Sequence, residues 1–199
     1  MKNYIIETKN LTKVYGEQKV VNSVNLHMEK GSIYGLLGRN GAGKTTIMKM
    51  ILGLTDITNG EVSVFNQNIK GNEKKIYPRI GAIIETPGFY PNLTGTENLE
   101  IFALLRGTAF PDAVKNALEV VCLPYKDKKL FGNYSLRMKQ RLGIANAILH
   151  DPEVLILDES NMITAKMVIT LLMELMPCSL IKITDSAIVF KLCLVAQYS

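Results

Sequence analysis

Eight consecutive residues, Gly38-Arg39-Asn40-Gly41-Ala42-Gly43-Lys44-Thr45, meet the pattern G-x-x-x-x-G-K-[ST] at every fixed position. The chemistry this spacing serves is the binding of a phosphate chain. Glycines let the backbone curl so that several N–H groups converge on one set of phosphate oxygens, where side chains would hold the anion away. Lys44 supplies a point charge for the β- and γ-phosphates, and the Thr45 hydroxyl is a candidate magnesium ligand. Two acids further along suit the same chemistry. The run Val154 to Leu157 ends in Asp158-Glu159; beside a phosphate-binding loop, a first carboxylate holds magnesium through water and a second orients or deprotonates an attacking water.

The elements that must position these residues are legible on either side of them. Ser32 to Leu37 is a short, apolar, strand-like run entering the loop, and Thr46 to Leu52 has helical composition leaving it. A strand, a loop and a helix in that order point the helix N-terminus at the anion. Val154 to Asp158 reads as a buried parallel strand with its carboxylates at the carboxyl end, where α/β sheets place their sites. Tyr4 to Lys30 alternates in strand fashion around the turn signal Tyr15-Gly16-Glu17-Gln18 and predicts a small antiparallel sheet. Gly60 to Phe65 reads as a further strand, Asn66 to Arg79 as polar loop, and Ile80 to Glu85 as a buried strand stopped by Thr86-Pro87-Gly88.

From Thr94 to His150 the pattern becomes helical. Thr94-Gly95-Thr96-Glu97 is a capping box for a helix running to Gly107. Pro111-Asp112 opens a second helix with Val114, Ala117, Leu118 and Val121 on one face. A third begins near Ser135, with Met138, Leu142, Ala145 and Leu149 about a turn apart, and Asp151-Pro152 ends it. The expected architecture is α/β: a P-loop NTPase core with an N-terminal antiparallel β-subdomain and an inserted helical subdomain over about 92–150, all in one domain spanning 1–199.

Bulk properties exclude several classes. A length of 199 residues with 47% hydrophobic content suits one domain with a real core and argues against disorder. The net charge of +5 permits an anionic partner, but a mildly basic surface around a phosphate site accounts for it. Cys122, Cys178 and Cys193 are few, odd in number and without metal-ligand spacing, which speaks for reduced thiols and against a disulfide framework. The N-terminus lacks a signal-peptide core, and no apolar run approaches the ~18 residues of a membrane helix. Two residues stay open on position alone. Tyr15 is an aromatic that can stack on a nucleobase or pack at a strand end, and Glu85 is either a switch carboxylate or a solvated acid in a turn.

With Tyr15, the P-loop, Asp151-Pro152 and Asp158-Glu159 in order, the segment Tyr134-Ser135-Leu136-Arg137-Met138-Lys139-Gln140-Arg141-Leu142 resembles the signature motif of ABC transporter ATPases, L-S-G-G-Q-Q-x-R in its common form. The resemblance covers about residues 4 to 160. The text around Glu85 is similar to the branch exporting bacitracin and lantibiotics, in which a glutamate replaces the usual glutamine. The resemblance implies ATP and Mg2+ as cofactors, with Tyr15 stacking on adenine and Gly38 to Thr46 holding the phosphates. It further implies Thr45, Asp158 and Glu85 at magnesium, Lys44 and Glu159 in catalysis with Glu159 as general base, and Ser135, Leu136, Arg137, Met138 and Gln140 as the signature. A transmembrane permease and a second ATP-binding domain, identical or not, are the implied partners, with no nucleic acid. The implied location is cytoplasmic, peripheral on the cytoplasmic face of the cell membrane.

Two departures from the family pattern stand out. Arg137 occupies the place of the signature's second glycine, where a partner's phosphate should meet bare backbone. Residues 160–199 contain no glycine, arginine or histidine, so the family's D-loop and switch histidine have no counterpart; His27 and His150 both come earlier. The tail is instead rich in methionine, with Met162, Met167, Met173 and Met176. It reads as truncation followed by a foreign or frame-shifted stretch, leaving an ATP-binding remnant; the alternative is a diverged lobe with a helix over Val168–Leu175 and a strand over Ile188–Val195.

Overall fold

A computed structural model describes residues 4–84, 88–108, 112–158, 181–182 and 193–196. The chain opens with three strands, β1 (Tyr4–Tyr15), β2 (Gln18–Val24) and β3 (His27–Glu29). The turn signal at Tyr15-Gly16 makes the hairpin, with Gly16 at φ +57° and Tyr15 paired to Gln18. The short strand β4 (Ile33–Gly35) then feeds the phosphate loop and helix α1 (Lys44–Ile51). Strand β5 (Asn59–Val64) returns to β1 and pairs antiparallel with it, so the run after α1 completes the N-terminal sheet.

Asn66 to Arg79 is more ordered than its polarity suggests. It holds strand β6 (Gln67–Asn68), a one-turn helix α2 (Glu73–Ile76) and a 3-10 turn over Tyr77–Arg79. Ile69 and Ile76, both buried, pin this stretch to the core from within an otherwise polar sequence. β7 (Ile80–Ile83) follows.

Helices α3 (Gly95–Arg106), α4 (Ala113–Val120) and α5 (Leu136–Ile148) pack on one another, and β8 (Val154–Asp158) follows them. The capping box forms as expected: Thr94 accepts from the Glu97 N–H, and the Glu97 carboxylate accepts from the Thr94 N–H, which holds that carboxyl below its ordinary range. Gly107 closes α3 in the left-handed conformation.

Strand β8 divides the interior. Val154 and Ile156 face the cluster formed by the N-terminal sheet and α1, with Ile6, Leu11, Met48 and Val64. Leu155 and Leu157 face the other way, onto Leu99, Leu118, Phe131 and Leu142 of the helical region. Alternation along one strand thus joins two cores, and burying each such side chain contributes about 1.5–3 kcal/mol.

The second sheet departs from a purely parallel arrangement. Its order is β7-β8-β10-β4-β9, where β9 is Ile181–Lys182 and β10 is Cys193–Ala196. β7 and β8 run parallel, as do β4 and β9, but β10 lies between β8 and β4 and is antiparallel to both. β8 is therefore parallel only on its β7 side. The strand expected at Ile188–Val195 is found at Cys193–Ala196, while the helix expected at Val168–Leu175 lies outside the described residues.

Three contacts fasten the helical region and the strand bases. Arg79 donates to both carboxylate oxygens of Glu153 at 2.5 and 2.8 Å and lies over the Phe65 ring, 3.6 Å from its centroid. A Cβ at Gly81 would stand 2.1 Å from the Ala147 carbonyl oxygen, so only glycine lets α5 approach β7 this closely. His150 Nε2 lies 3.1 Å from the Ile80 carbonyl oxygen, and since only an N–H can bond that oxygen, the proton sits on Nε2.

Candidate nucleotide site

The loop from Leu36 to Gly43 folds back on itself, with the Ala42 N–H donating to the Arg39 carbonyl at 3.1 Å. Gly43 ends it at φ +82°, and a Cβ there would meet the Val20 carbonyl oxygen at 2.7 Å and Val21 Cγ2 at 3.0 Å. Both the left-handed backbone and the contact with β2 demand glycine. The N-terminal hairpin is therefore the wall on which the loop rests. No side chain caps α1, so its first N–H groups and the positive end of its dipole are presented to the loop.

Lys44, the first residue of α1, is only 5% exposed. Its Nζ donates to the carbonyls of Gly38 at 2.5 Å and Arg39 at 2.8 Å, which hold the ammonium within the curl of the loop. Arg39, Asn40, Gly41 and Ala42 are exposed at the rim, while Gly38, Thr45 and Thr46 are half-buried. The Thr45 hydroxyl donates to Asp158 Oδ2 at 2.5 Å. The other Asp158 oxygen, Oδ1, is buried without a hydrogen-bond partner among the described residues. A hydroxyl and a carboxylate with an unused, buried oxygen form a hard-oxygen pair of the kind a divalent cation takes. No cluster of three or more His, Cys, Asp or Glu side chains gathers among the described residues.

Tyr15 sits at the outer end of β1 with its ring 48% exposed. Lys13 Nζ lies 4.8 Å from the ring centroid, and the phenol oxygen is 3.4 Å from Thr55 Oγ1. Glu85 and Glu159 lie outside the described residues; β7 ends at Ile83, and Glu159 directly follows the last residue of β8. Of the residues singled out in the sequence, Lys44, Thr45 and Asp158 meet in one place. The signature residues sit at the front of α5. Ser135 is its N-cap, accepting from the Met138 N–H at 3.3 Å; Leu136 and Arg137 are exposed on the first turn, and Met138 and Gln140 are half-buried.

Sequence reasoning missed Asn98. Fully buried in α3, it accepts from the Tyr90 N–H at 2.7 Å and donates to the carbonyls of Tyr90 at 3.1 Å and Thr94 at 2.9 Å. It thereby fixes the segment that leads from β7 into the helical region. An asparagine directly after the capping box, inside a helix where its type is unfavourable, was the available signal, because a buried amide must be bonded.

A family model described as ABC transporter matches residues 21–161, which include the loop, the signature helix and the paired carboxylates. The chain belongs to the ABC transporter family. Membership of the family implies nucleotide binding. Among individual relatives, the bacitracin transport ATP-binding protein BcrA of Enterococcus faecalis is 62% identical over 156 residues, covering 78% of this chain and 51% of the relative. BcrA of Bacillus licheniformis is 54% identical over 155 residues with the same coverages, 78% and 51%. The lantibiotic transport ATP-binding protein SrtF of Streptococcus pyogenes is 39% identical over 157 residues, covering 78% of this chain and 66% of the relative. The chain spans about half the length of the two BcrA relatives it matches.

Solved ABC structures share the fold. The cbiO1 protein of Clostridium perfringens, part of an ABC transporter complex, superposes with a TM-score of 0.74 at 24% identity, over 92% of this chain and 79% of that one. A dimeric ATP-binding cassette in a post-hydrolysis state with ADP and Pi gives 0.72 at 22% identity, over 91% and 88%. Among the described residues, no helix of this ABC chain is long and apolar enough to cross a membrane.

Proposed function

We propose that this chain is the Mg-ATP-binding part of an exporter for a peptide antibiotic of the bacitracin or lantibiotic kind, and so serves antibiotic resistance. The observation that carries this reading is the meeting of Thr45 and Asp158 at 2.5 Å beside the buried Lys44. The two BcrA relatives carry bacitracin transport in their names, which supports the choice of cargo class. Lys44 would bind the β- and γ-phosphates, the main chain of Gly38 to Thr46 would orient them, and Tyr15 would stack on the adenine. Thr45 and Asp158, joined by Glu85, would hold magnesium. When bound, the ion neutralises phosphate charge and polarises the γ-phosphoryl group. Glu159 would take the proton of the attacking water. The partners are a transmembrane permease and a second ATP-binding domain whose phosphates would face Ser135, Leu136, Arg137, Met138 and Gln140. The chain would thus work at the cytoplasmic face of the membrane, peripheral to it.

One observation favours a second reading, in which nucleotide is bound but not turned over. Arg137 is exposed on the first turn of α5, where the family signature has glycine. A long side chain there holds a partner's phosphate away from the helix N-terminus, even though its guanidinium can pair with phosphate. The test of both readings is nucleotide-dependent thermal stabilisation measured together with phosphate release at saturating Mg-ATP. Stabilisation with release supports the transporter ATPase; stabilisation without release supports the binding remnant; no stabilisation overturns both.

A further inference from the structure

The two halves of the proposed magnesium site hang from strands that do not touch. Thr45 follows the loop that leaves β4, and Asp158 ends β8, yet β10 lies between them and pairs with both. Leu194 stands opposite Gly35 on one side and Leu157 on the other, and Val195 stands opposite Tyr34 and Ile156. These pairs put Gly35 and Leu157 at one level, with Cys193 opposite Asp158 and the amino end of β10 beneath the phosphate loop. Adjacent strands are about 4.8 Å apart, so one intervening strand holds β4 and β8 about 9–10 Å apart. That gap is what the loop crosses to bring the Thr45 hydroxyl within 2.5 Å of Asp158.

We infer that β10, a strand from the compositionally distinct tail, is a positioning element for the nucleotide site. It acts as the spacer that fixes both the separation and the relative height of the Thr45 and Asp158 strands. Without it, β4 and β8 have no common hydrogen-bonded neighbour, and either closing the gap or widening it moves the hydroxyl off the carboxylate. The tail therefore contributes to metal-dependent binding through its backbone. This rests on the reading of Thr45 and Asp158 as the magnesium pair.

Consecutive residues of a strand direct their N–H groups to opposite neighbours. Leu194→Pro and Val195→Pro therefore each remove one ladder bond, one toward β4 and the other toward β8. The readout is the ratio of ADP affinities with Mg2+ and with a chelator, measured on the full chain. In the unaltered chain Mg2+ should strengthen binding; in either proline variant the Mg2+ concentration needed should rise by about 10-fold or more, the range seen when groups that orient a metal ligand are lost. Chelator-measured ADP binding through the loop should change far less. Val195→Ala, which keeps the N–H, should behave as the unaltered chain. Proline variants that keep the full Mg2+ effect overturn the spacer role alone; an unaltered chain that binds ADP with no Mg2+ effect overturns the metal reading as well. Should the proline variants fail to fold, amide hydrogen exchange on the unaltered chain decides. Protection of residues 194–196 comparable to β4 is expected, and free exchange there overturns the inference.

Discussion

The Thr45 hydroxyl and the Asp158 carboxylate, 113 positions apart in the chain, meet at 2.5 Å, while the second oxygen of that carboxylate stays buried without a partner among the described residues. The pair is asymmetric: one oxygen is engaged by the first turn of α1 and one remains for a cation. Asp158→Asn keeps an acceptor for Thr45 but removes the charge. It should weaken Mg2+ binding at the nucleotide site by about 10–100-fold. Titrating a fluorescent ADP analogue at a series of Mg2+ concentrations checks this, and an unshifted Mg2+ midpoint would count against the assignment.

Lys44→Ala should weaken ATP binding by on the order of 2–3 kcal/mol, the worth of a charge–phosphate contact shielded from water. Lys44 is buried and its ammonium is already held by loop carbonyls, so little ordering is needed when phosphate arrives. Nucleotide-dependent thermal stabilisation that survived the substitution unchanged would contradict it.

On the second reading, in which nucleotide is bound but not turned over, steady-state ATP hydrolysis should be weak or absent. Arg137 stands exposed on the first turn of α5, where the family signature has glycine. Loss of groups that position the nucleotide or stabilise charge costs factors of roughly 10²–10³ each. Arg137→Gly alone should restore little, because such groups act as a unit. Phosphate release at saturating Mg-ATP is the measurement; robust release by the unaltered chain, abolished by Glu159→Gln, would establish a working ATPase instead.

Asn98→Leu should destabilise the fold by about 1–2 kcal/mol, because it removes the acceptor of the Tyr90 N–H and one of the donors to the Tyr90 and Thr94 carbonyls, which keep their main-chain bonds from Leu93 and residue 98. A lowered urea midpoint at constant slope is expected. An unchanged midpoint would show that water replaces the amide.

Stability should fall in mild acid through His150. Burial comes first in lowering its pKa from the ordinary 6.5, with the Arg106 charge adding to it, while the Ile80 carbonyl and Asp151 oppose the shift. A histidine kept neutral in the fold but free to charge when unfolded gives stability that is complete above pH 6.5 and lost as pH falls through its folded pKa. Below that window Glu153 adds a second loss, since the hydrogen bond from Arg79 holds its carboxyl below the ordinary value. Melting temperatures from pH 8 to 4 should show His150→Gln flattening the upper part of the decline; parallel curves would exclude the assignment.

The local signals in the sequence were strong where a single residue type has one physical use. The capping box at Thr94 and Glu97, the turn at Gly16 and the helical cap at Ser135 each depend on neighbours within a few positions, and each formed. The meeting of Lys44, Thr45 and Asp158 was legible because strand ends in an α/β sheet share one side. Strand pairing was not legible in the same way. Nothing in Cys193 to Ala196 announces that it will enter the sheet antiparallel between two strands drawn from far earlier in the chain, since pairing partners are set by long-range packing and not by the strand's own residues. The order within Asn66 to Arg79 was hidden for a related reason: its two buried isoleucines gain meaning only from the core they meet.

The close approach at Gly81 has a mechanical consequence for α5. This 13-residue helix is about 20 Å long. From Leu142 onward its residues are buried, with the Ala147 carbonyl lodged against the one position of β7 that has no side chain, while its first turn stands in solvent. A rod seated this closely at the rear and bare at the tip resists sliding, because there is no slack between the Ala147 carbonyl and Gly81. Displacing the exposed end of α5 along its axis would therefore press on β7.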